Sequence, residues 1–236
     1  IGCIERIAYS ITSNAIEEVT NWKSYLFRLL AFNIIGLVVL FLLQLLQAQL
    51  PLNPAHLGNV SWHSALNTSI SLVTNTNWQG YAGETTLSYL VQMTGLTVQN
   101  FVSAATGIAV FLAVTRGITR KTTDKLGNFW TDLTRSINYV LLPLSIVFAV
   151  VLTGQGVVQN FKSYETAHTL EGAQQMIPMG PAASQIAIKQ LGTNGGGFFN
   201  ANSAHPFEDP TPCSNCLQVL AILLLPASLT YTYGKM

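Results

Sequence analysis

Two short polar turns hold the residues of this chain whose types and spacing could do chemistry. Neither turn contains an acidic or basic side chain, but both offer many oxygens, and glycine permits φ values that let successive carbonyls face one way. Backbone carbonyls from several loops can replace the water shell of a dehydrated alkali cation. The turns therefore predict a cation filter made mainly of main-chain oxygens. Its candidate residues are Thr74, Asn75, Thr76, Asn77 and Gln79 in the first turn and Thr193, Asn194, Gly195, Gly196 and Gly197 in the second.

The glycine run also invites comparison with a nucleotide-binding loop. Such a loop ends in Gly-Lys-Ser/Thr, because the lysine and the hydroxyl contact phosphate and magnesium. In this chain Gly197 is followed by Phe198 and Phe199. The sequence therefore predicts no nucleotide site and gives no motif for ATP hydrolysis.

Each turn follows a short apolar segment that must position it. Ser61–Val73 has apolar residues at helical spacing, and Ala182–Leu191 begins directly after a proline that suits a helix start. Apolar segments too short to cross a bilayer are candidates for re-entrant helices. Their C-terminal ends carry partial negative charge and would point it at the turns, which also favours cations.

The composition indicates a membrane protein. Of 236 residues, 9% are charged, whereas soluble domains average about 25%, and 49% are hydrophobic. This excludes an ordinary soluble enzyme, and a net charge of +1 without basic residues interleaved with aromatics gives no indication of nucleic-acid binding. A spanning helix needs about 20 largely apolar residues. Four windows qualify: Leu26–Leu46, Leu87–Thr115, Ile137–Thr153 and Leu217–Tyr233.

The second window is unusual because its first half is polar. Gln92, Thr94, Gln99, Asn100 and Ser103 would be costly against lipid, but they are tolerated against protein or a wet cavity. We therefore expect this helix to line something other than lipid.

The order of segments indicates an internal repeat: span, short helix, polar turn, span and basic connector, followed by the same pattern again. The shared Thr-Asn pair gives an offset of 119 residues, from Thr74 to Thr193. Nine lysines and arginines fall at one face and only Lys162 and Lys189 at the other, so the positive-inside rule predicts a cytoplasmic start. The expected regions are a cytoplasmic segment 1–22, a first unit 23–116, a basic cytoplasmic loop 117–135 and a second unit 136–236.

Several runs of sequence resemble one known family, the potassium-binding A subunit of the Kdp potassium pump. They are TNTNWQ at 74–79, GETTLSY at 83–89, GLTVQNF at 95–101, EGAQQ at 171–175, PMGP at 178–181 and LGTNGGGFFNANS at 191–203. The resemblance runs from about Asn21 to the C-terminus. Ile1–Thr20 matches poorly and is expected to form a surface helix of no identifiable role.

The resemblance implies an all-α polytopic membrane protein related to potassium channels, with four spans and two re-entrant pore helices in this chain. The family has four membrane-pore-membrane units, so this chain would be an N-terminal fragment with two. Its implied function is to bind and translocate potassium, the substrate, in an ATP-driven high-affinity import complex of the bacterial inner membrane. The implied partners are a P-type ATPase B subunit and small C and F subunits, besides membrane lipid, and no cofactor is implied.

Two other functions remain open from the residues alone. The same turns would serve a passive potassium channel or an ion-coupled carrier without an ATPase, because nothing in the sequence shows coupling. A membrane scaffold, whose polar second helix only packs against its neighbours, is the third possibility.

Two isolated charges lie near the turns. Glu84 either attracts cations at the outer mouth or is paired or solvated at the aqueous interface. For Lys189 we expect a place at the aqueous interface, paired or solvated, rather than a role in anchoring the second pore helix.

Cysteines and aromatics near the turns also allow structural predictions. Cys213 and Cys216 have a metal-like spacing but lack a second pair, so we expect them to pack at a helix entrance. Trp78, Phe198 and Phe199 directly follow or end the turns, which favours a cuff packed behind the filter over an interfacial belt.

Overall fold

The structure, a computed structural model, describes residues 19–120, 122–123 and 125–236. Nearly all of the expected surface helix in Ile1–Thr20 lies outside these residues. The described part is mostly helical. Its helices are α1 (Trp22–Leu45), α2 (Trp62–Val73), α3 (Gly83–Thr86), α4 (Val98–Thr119), α5 (Phe129–Arg135), α6 (Leu142–Gly154), α7 (Ala182–Leu191) and α8 (Pro212–Lys235).

Besides the α-helices, the described part contains π-helical and 3-10 segments. A π-helical segment, Val91–Thr97, runs directly into α4, and another, Ser136–Leu141, joins α5 to α6. Single 3-10 turns occur at Gln47–Gln49 and Asn202–Ala204. π-Helical turns are rare and often occur at functional sites.

Two small antiparallel sheets, which the sequence analysis did not predict, complete the described fold. Strand β1 (Thr20–Asn21) pairs with β2 (Lys125–Gly127), and β3 (Glu165–His168) pairs with β4 (Gln174–Ile177). The first pairing brings the start of α1 beside the connector between α4 and α5. We call this the basic end of the bundle, and it unites residues that the charge count assigned to one face.

Within the described residues, four helical stretches are long and apolar enough to cross a membrane, as predicted. They are Trp22–Leu45, Val91–Thr119, Phe129–Gly154 and Pro212–Lys235. At 24 residues and about 1.5 Å per residue, the first and last are each about 36 Å long.

Three of these stretches begin before their predicted windows, at turns that polar side chains cap, whereas Val91–Thr119 begins after its window. The Asn21 side chain accepts a hydrogen bond from Ser24 N at 3.0 Å. Thr211 and Ser214 form a capping box around Pro212 at the start of α8. Such caps satisfy backbone N–H groups that the first helical turn leaves free. The hydropathy windows omitted these polar first turns.

The stretch containing α4 is the interior one. Of its most apolar window, 39% is buried, against 6–17% for the other three. Gln99, Asn100 and Ser103 are all buried on α4. The prediction that this helix lines something other than lipid is confirmed.

Three apolar clusters pack the part of the bundle that the structure describes. One surrounds α4 with Phe129 and Leu141, the second surrounds α7 with Phe198 and Phe199, and the third surrounds α2 with Leu72. Each short helix thus has its own packed support, which fixes where the turn after it lies.

Candidate functional site

Each polar turn directly follows the C-terminus of a short helix. We call residues Thr74–Gln79 the first loop and Thr193–Gly197 the second loop. Helix α2 ends at Val73 and α7 ends at Leu191, so the first loop starts at once and the second after a single glycine. The predicted bounds of α7 are confirmed, and those of α2 differ by one residue. The partial negative charge of both helix ends therefore lies at the loops.

The backbone N–H groups of the loops fold back onto these helix ends. In the first loop, Thr76 N and Asn77 N donate to Ser71 O at 2.9 and 3.1 Å, and Asn75 N donates to Leu72 O at 3.2 Å. A trans peptide holds its N–H and C=O on opposite sides. The carbonyls of residues 74, 75 and 76 therefore point away from α2.

The second loop repeats this pattern. Thr193 N donates to Gln190 O at 3.1 Å and Asn194 N donates to Lys189 O at 2.9 Å. The carbonyls of residues 192 and 193 consequently point away from α7. Both loops thus present main-chain oxygens on the side opposite their helix.

These hydrogen bonds correct the repeat offset. Thr76 corresponds to Asn194 and Asn75 to Thr193, an offset of 118 residues (194 − 76 = 118) rather than 119. The left-handed residues agree: φ is 61° at Asn75 and 55° at Thr193. The shared Thr-Asn pair misled the sequence comparison by one position.

Left-handed residues recur at every second position of both loops. In the first loop Asn77 has φ 56°, and its equivalent Gly195 has φ 92°. Asparagine tolerates this conformation better than most residues, and glycine adopts it freely. The left-handed conformation explains why the first loop has asparagine at positions 75 and 77. It also explains why the second loop has glycine at position 195.

The two loops touch each other. Asn194 Nδ2 donates to Asn75 Oδ1, and Asn75 Nδ2 donates to Gly192 O at 3.3 Å. Gly196 lies so close to the Asn77 carbonyl that any Cβ at this position would overlap it. The second loop therefore needs glycine here to approach the first.

A cavity lies on each side of the loops. One of about 360 Å³ is lined by their ends, including Thr76, Gln79 and Gly195. The other, about 120 Å³, is lined by their beginnings, Asn75 and Thr193, together with apolar residues of α4 and α8. The loops thus form a partition between a polar space and a mainly apolar one.

Polar side chains of α4 hold the partition. Asn77 Nδ2 donates to Asn100 Oδ1 at 2.5 Å, and Ser103 Oγ donates to Asn75 Oδ1 at 2.8 Å. Asn194 Nδ2 also lies 3.3 Å from Ser103 Oγ. One helix therefore fixes both loops. The sequence analysis marked Asn100 and Ser103 as polar but did not assign them to the site.

Side-chain exposure alternates along the loops. Thr74 and Thr76 are exposed in the first loop, and Thr193 and Gly195 in the second, whereas Asn77 and Asn194 are buried. Gln79 lines the larger cavity, and its buried Nε2 has no hydrogen-bond partner within the described part of the chain. Gly197 is buried against Lys189.

The aromatic cuff is confirmed on one side only. Phe198 and Phe199 are both 1% exposed and pack within the cluster around α7. Trp78 is 58% exposed, so its assignment to the cuff was wrong. Its backbone N–H donates to Ser71 Oγ at 2.6 Å, and the residue lines the larger cavity.

Glu84 is hydrogen-bonded to residues outside the two loops and does not line the larger cavity. Its Oε2 accepts from Asn200 N at 2.9 Å, and its carbonyl accepts from the hydroxyl of Tyr164 at 2.5 Å. Of the two alternatives for Glu84, the structure supports the paired one. Burial, and secondarily the Glu84 charge, raise the pKa of Tyr164 to about 12, while burial lowers the pKa of His205 in the same recess.

Lys189 is paired but buried, so its expected place at the aqueous interface was wrong. Its side chain is 1% exposed and pairs with Glu208, whose side chain is fully buried. The signal that the sequence offered was a lone lysine on an otherwise uncharged short helix, followed 19 residues later by an acid.

Cys213 and Cys216 do not pack at the helix entrance, contrary to the prediction. Both are free and exposed. Ser214 and Gln218 occupy the buried face of α8 instead, because they are one helical turn apart.

Fold and site together define a class: a multi-pass membrane protein in which two short helices carry polar loops to a common partition. The chain belongs to the family described as the potassium-transporting ATPase A subunit, KdpA, whose model matches residues 1–236. That match includes Ile1–Thr20, so the expected poor match of this segment was wrong.

Curated relatives agree. The chain is 59% identical over 234 residues to the potassium-transporting ATPase potassium-binding subunit of Pseudomonas syringae pv. tomato, covering 99% of this chain and 42% of that protein. It is 57% identical over 245 residues to the subunit of the same name from Sorangium cellulosum, covering 100% of this chain and 42% of the relative. For Cronobacter sakazakii the identity is 55% over 234 residues, with 99% and 42% covered. The chain thus spans about two fifths of the length of these relatives.

Proposed function

We propose that this chain forms part of the potassium-selective path of an ATP-driven import complex, as the subunit that binds and translocates the ion. The observation that carries the proposal is the partition: two loops with main-chain oxygens turned away from their helices meet between two cavities. We take the identity of the ion, potassium, and the association with an ATPase from the names of the relatives.

The chemistry of the partition suits a dehydrated cation. Neither loop carries an acid, so the oxygens available are carbonyls, hydroxyls and amides, and two helix C-termini add negative potential. We assign the binding residues to Thr74, Asn75, Thr76, Asn77 and Gln79 of the first loop and Thr193, Asn194, Gly195, Gly196 and Gly197 of the second.

The exposed side of the loops is where the rest of the protein would close the path. Two loops supply only part of a coordination shell, and the relatives are more than twice as long as this chain. We propose that two further membrane-pore-membrane units complete a filter around a common axis, with this chain supplying units 23–116 and 136–236. The main-chain oxygens that both loops turn away from their helices support this arrangement.

The remaining assignments follow from the family. We propose that the complex lies in the bacterial inner membrane, that residues 1–22 and 117–135 are cytoplasmic, and that the partners are a P-type ATPase B subunit and small C and F subunits. The pairing of β1 with β2 supports the sidedness, because it joins the start of α1 to the basic connector at one end of the bundle.

The partition would serve a passive channel or an ion-coupled carrier equally well, so the test must measure coupling. The complete subunit, purified with its complex and reconstituted in vesicles, should take up potassium only with ATP. Uptake that persists without ATP down a potassium gradient would indicate a channel, and uptake driven by a proton or sodium gradient a carrier. A complex that takes up no potassium under any of these conditions would leave only the scaffold.

A further inference from the structure

A buried ion pair lies directly behind the second loop and has no part in the proposed coordination. Lys189, in the last turn of α7, pairs with Glu208, and the two side chains are 1% and 0% exposed. Burying two charged groups removes their favourable hydration, and the attraction between them often does no more than offset this cost. The presence of a buried ion pair is therefore weak evidence that the pair serves only to stabilise the fold.

The lysine contacts the loop itself. A Cβ at Gly197 would lie 2.8 Å from Cδ and 3.5 Å from Nζ of Lys189. Gly197 is therefore packed against the aliphatic stem, and the ammonium lies next to the backbone of the loop. Glycine at this position leaves room for the lysine.

In the first unit, the residue equivalent to Lys189 also contacts the backbone near the end of its loop, but it is not charged. With the offset of 118, Lys189 corresponds to Ser71, whose Oγ accepts from Trp78 N just after the first loop's left-handed residues. In both units, this position of the short helix supports the backbone where the loop ends. The first unit uses a neutral hydroxyl and the second a cation.

Glu208 is itself fixed from several sides. Its carbonyl accepts from Gln218 Nε2 of α8 at 3.0 Å, and Gln218 Oε1 accepts from Gln190 Nε2 at 2.7 Å. Ser203 Oγ lies 3.5 Å from Glu208 Oε1. The backbone of Glu208 is therefore tied to α8 and, through Gln218 and Gln190, to α7.

We propose that Lys189 and Glu208 are positioning residues for potassium binding: the lysine stem sets the place of Gly197, and the glutamate neutralises a cation that would otherwise repel the ion. This inference rests on the proposed function, because it assumes that potassium passes the second loop. An unpaired ammonium beside the path would oppose cation binding, and the low local dielectric would strengthen the repulsion.

The test compares single and double variants of Lys189 and Glu208 in the complete complex. The measured quantities are the KM for potassium and the kcat of ATP hydrolysis. Glu208→Gln should raise KM about tenfold while the kcat changes little, because it leaves the lysine uncompensated. Lys189→Met/Glu208→Gln keeps an unbranched stem against Gly197 and removes both charges. It should bring KM back to within about threefold of the wild type. The conservative Glu208→Asp should stay nearer the wild type than Glu208→Gln.

The double variant decides the outcome even if Glu208→Gln fails to assemble. Recovery of assembly and of potassium KM by adding Lys189→Met would support the neutralising role. A double variant no better than Glu208→Gln in either respect, or a Glu208→Gln complex with wild-type KM, would overturn it while leaving the proposed function intact. A wild-type complex whose hydrolysis does not depend on potassium would instead overturn both.

Discussion

At the scale of single residues, the loops depend on backbone conformations that few side chains allow. Gly195 has φ 92° with open space around it, so its requirement is conformational. Gly196 has the opposite requirement: space is lacking because the Asn77 carbonyl occupies it. Neighbouring glycines therefore serve two different physical needs.

Gly195→Asp should damage potassium binding much more than folding, because it strains a left-handed position and adds a charge at the loop. We expect the KM for potassium to rise at least about tenfold. Gly172→Asp is the matched control, since Gly172 has φ 83°, is also surrounded by open space and lies in the hairpin between β3 and β4. Equal KM values in the two variants, measured by potassium-stimulated ATP hydrolysis of the whole complex, would contradict the assignment of Gly195.

Residue types and spacing were enough to find both loops, because polar turns after short apolar helices are conspicuous in an uncharged sequence. They were not enough to place Lys189 or Trp78. A lysine on a short helix has the same sequence signature whether water or a distant acid satisfies it. Glu208 is 19 residues away, and only the folded chain shows that it returns to α7.

At the scale of elements, α4 is the support on which both loops depend. Its Asn100 is fully buried and bonds to side chains of both loops, Asn77 through its Oδ1 and Asn194 through its carbonyl. The window analysis predicted a helix that avoids lipid. It could not tell which loop side chains the helix would meet, because those contacts join residues up to 94 positions apart.

Asn100→Leu should leave the Asn77 amide without its partner inside the protein. Losing a buried hydrogen bond in this way costs about 1–3 kcal/mol, and the freed amide can turn toward the ion path. We expect weaker discrimination of potassium against sodium, measured as the ratio of their KM values. Thr106→Val is the control on the same helix, because Thr106 Oγ1 bonds only within α4, to Val102 O. An unchanged ratio in Asn100→Leu would show that α4 does not tune the loops.

Helix α3 supports the second loop from another direction. A Cβ at Gly83 would lie 2.5 Å from Phe198 O and 3.1 Å from Gly197 O, so Gly83→Ala must displace the end of the second loop. We expect a several-fold higher KM for potassium. Gly58→Ala, where nothing lies within 4 Å of the added carbon, should match the wild type. If Gly83→Ala also matches it, the second loop tolerates displacement and α3 has no positioning role.

At the scale of the whole molecule, the two ends of the bundle are held by different interactions. At the basic end, Arg116 of α4 makes two hydrogen bonds to Asp132 of α5, at 2.6 and 2.8 Å, and Tyr25 of α1 donates to the same carboxylate at 3.0 Å. This network ties three elements together and lies away from the loops. Stability and ion binding should therefore be separable.

Asp132→Asn should lower thermal stability without changing the KM for potassium. The Asp132 side chain is 7% exposed and that of Arg116 is 18% exposed, so breaking the pair leaves a largely buried guanidinium uncompensated, at a cost of about 3 kcal/mol. Arg120→Gln is the control, because Arg120 is exposed at the end of α4 and, among the described residues, its side chain is hydrogen-bonded to Lys125 O. A melting temperature equal to the wild type in Asp132→Asn, or a raised KM, would refute the separation.

The two units lie in one polypeptide, so residues at equivalent positions can evolve separately. In a channel made of identical subunits, every substitution appears on all sides of the axis at once. Here the supporting position is Ser71 in one unit and Lys189 in the other, within a single polypeptide. Each loop of the proposed path can therefore acquire its own supporting residue by a single mutation, so that the two sides of the path need not be chemically equal.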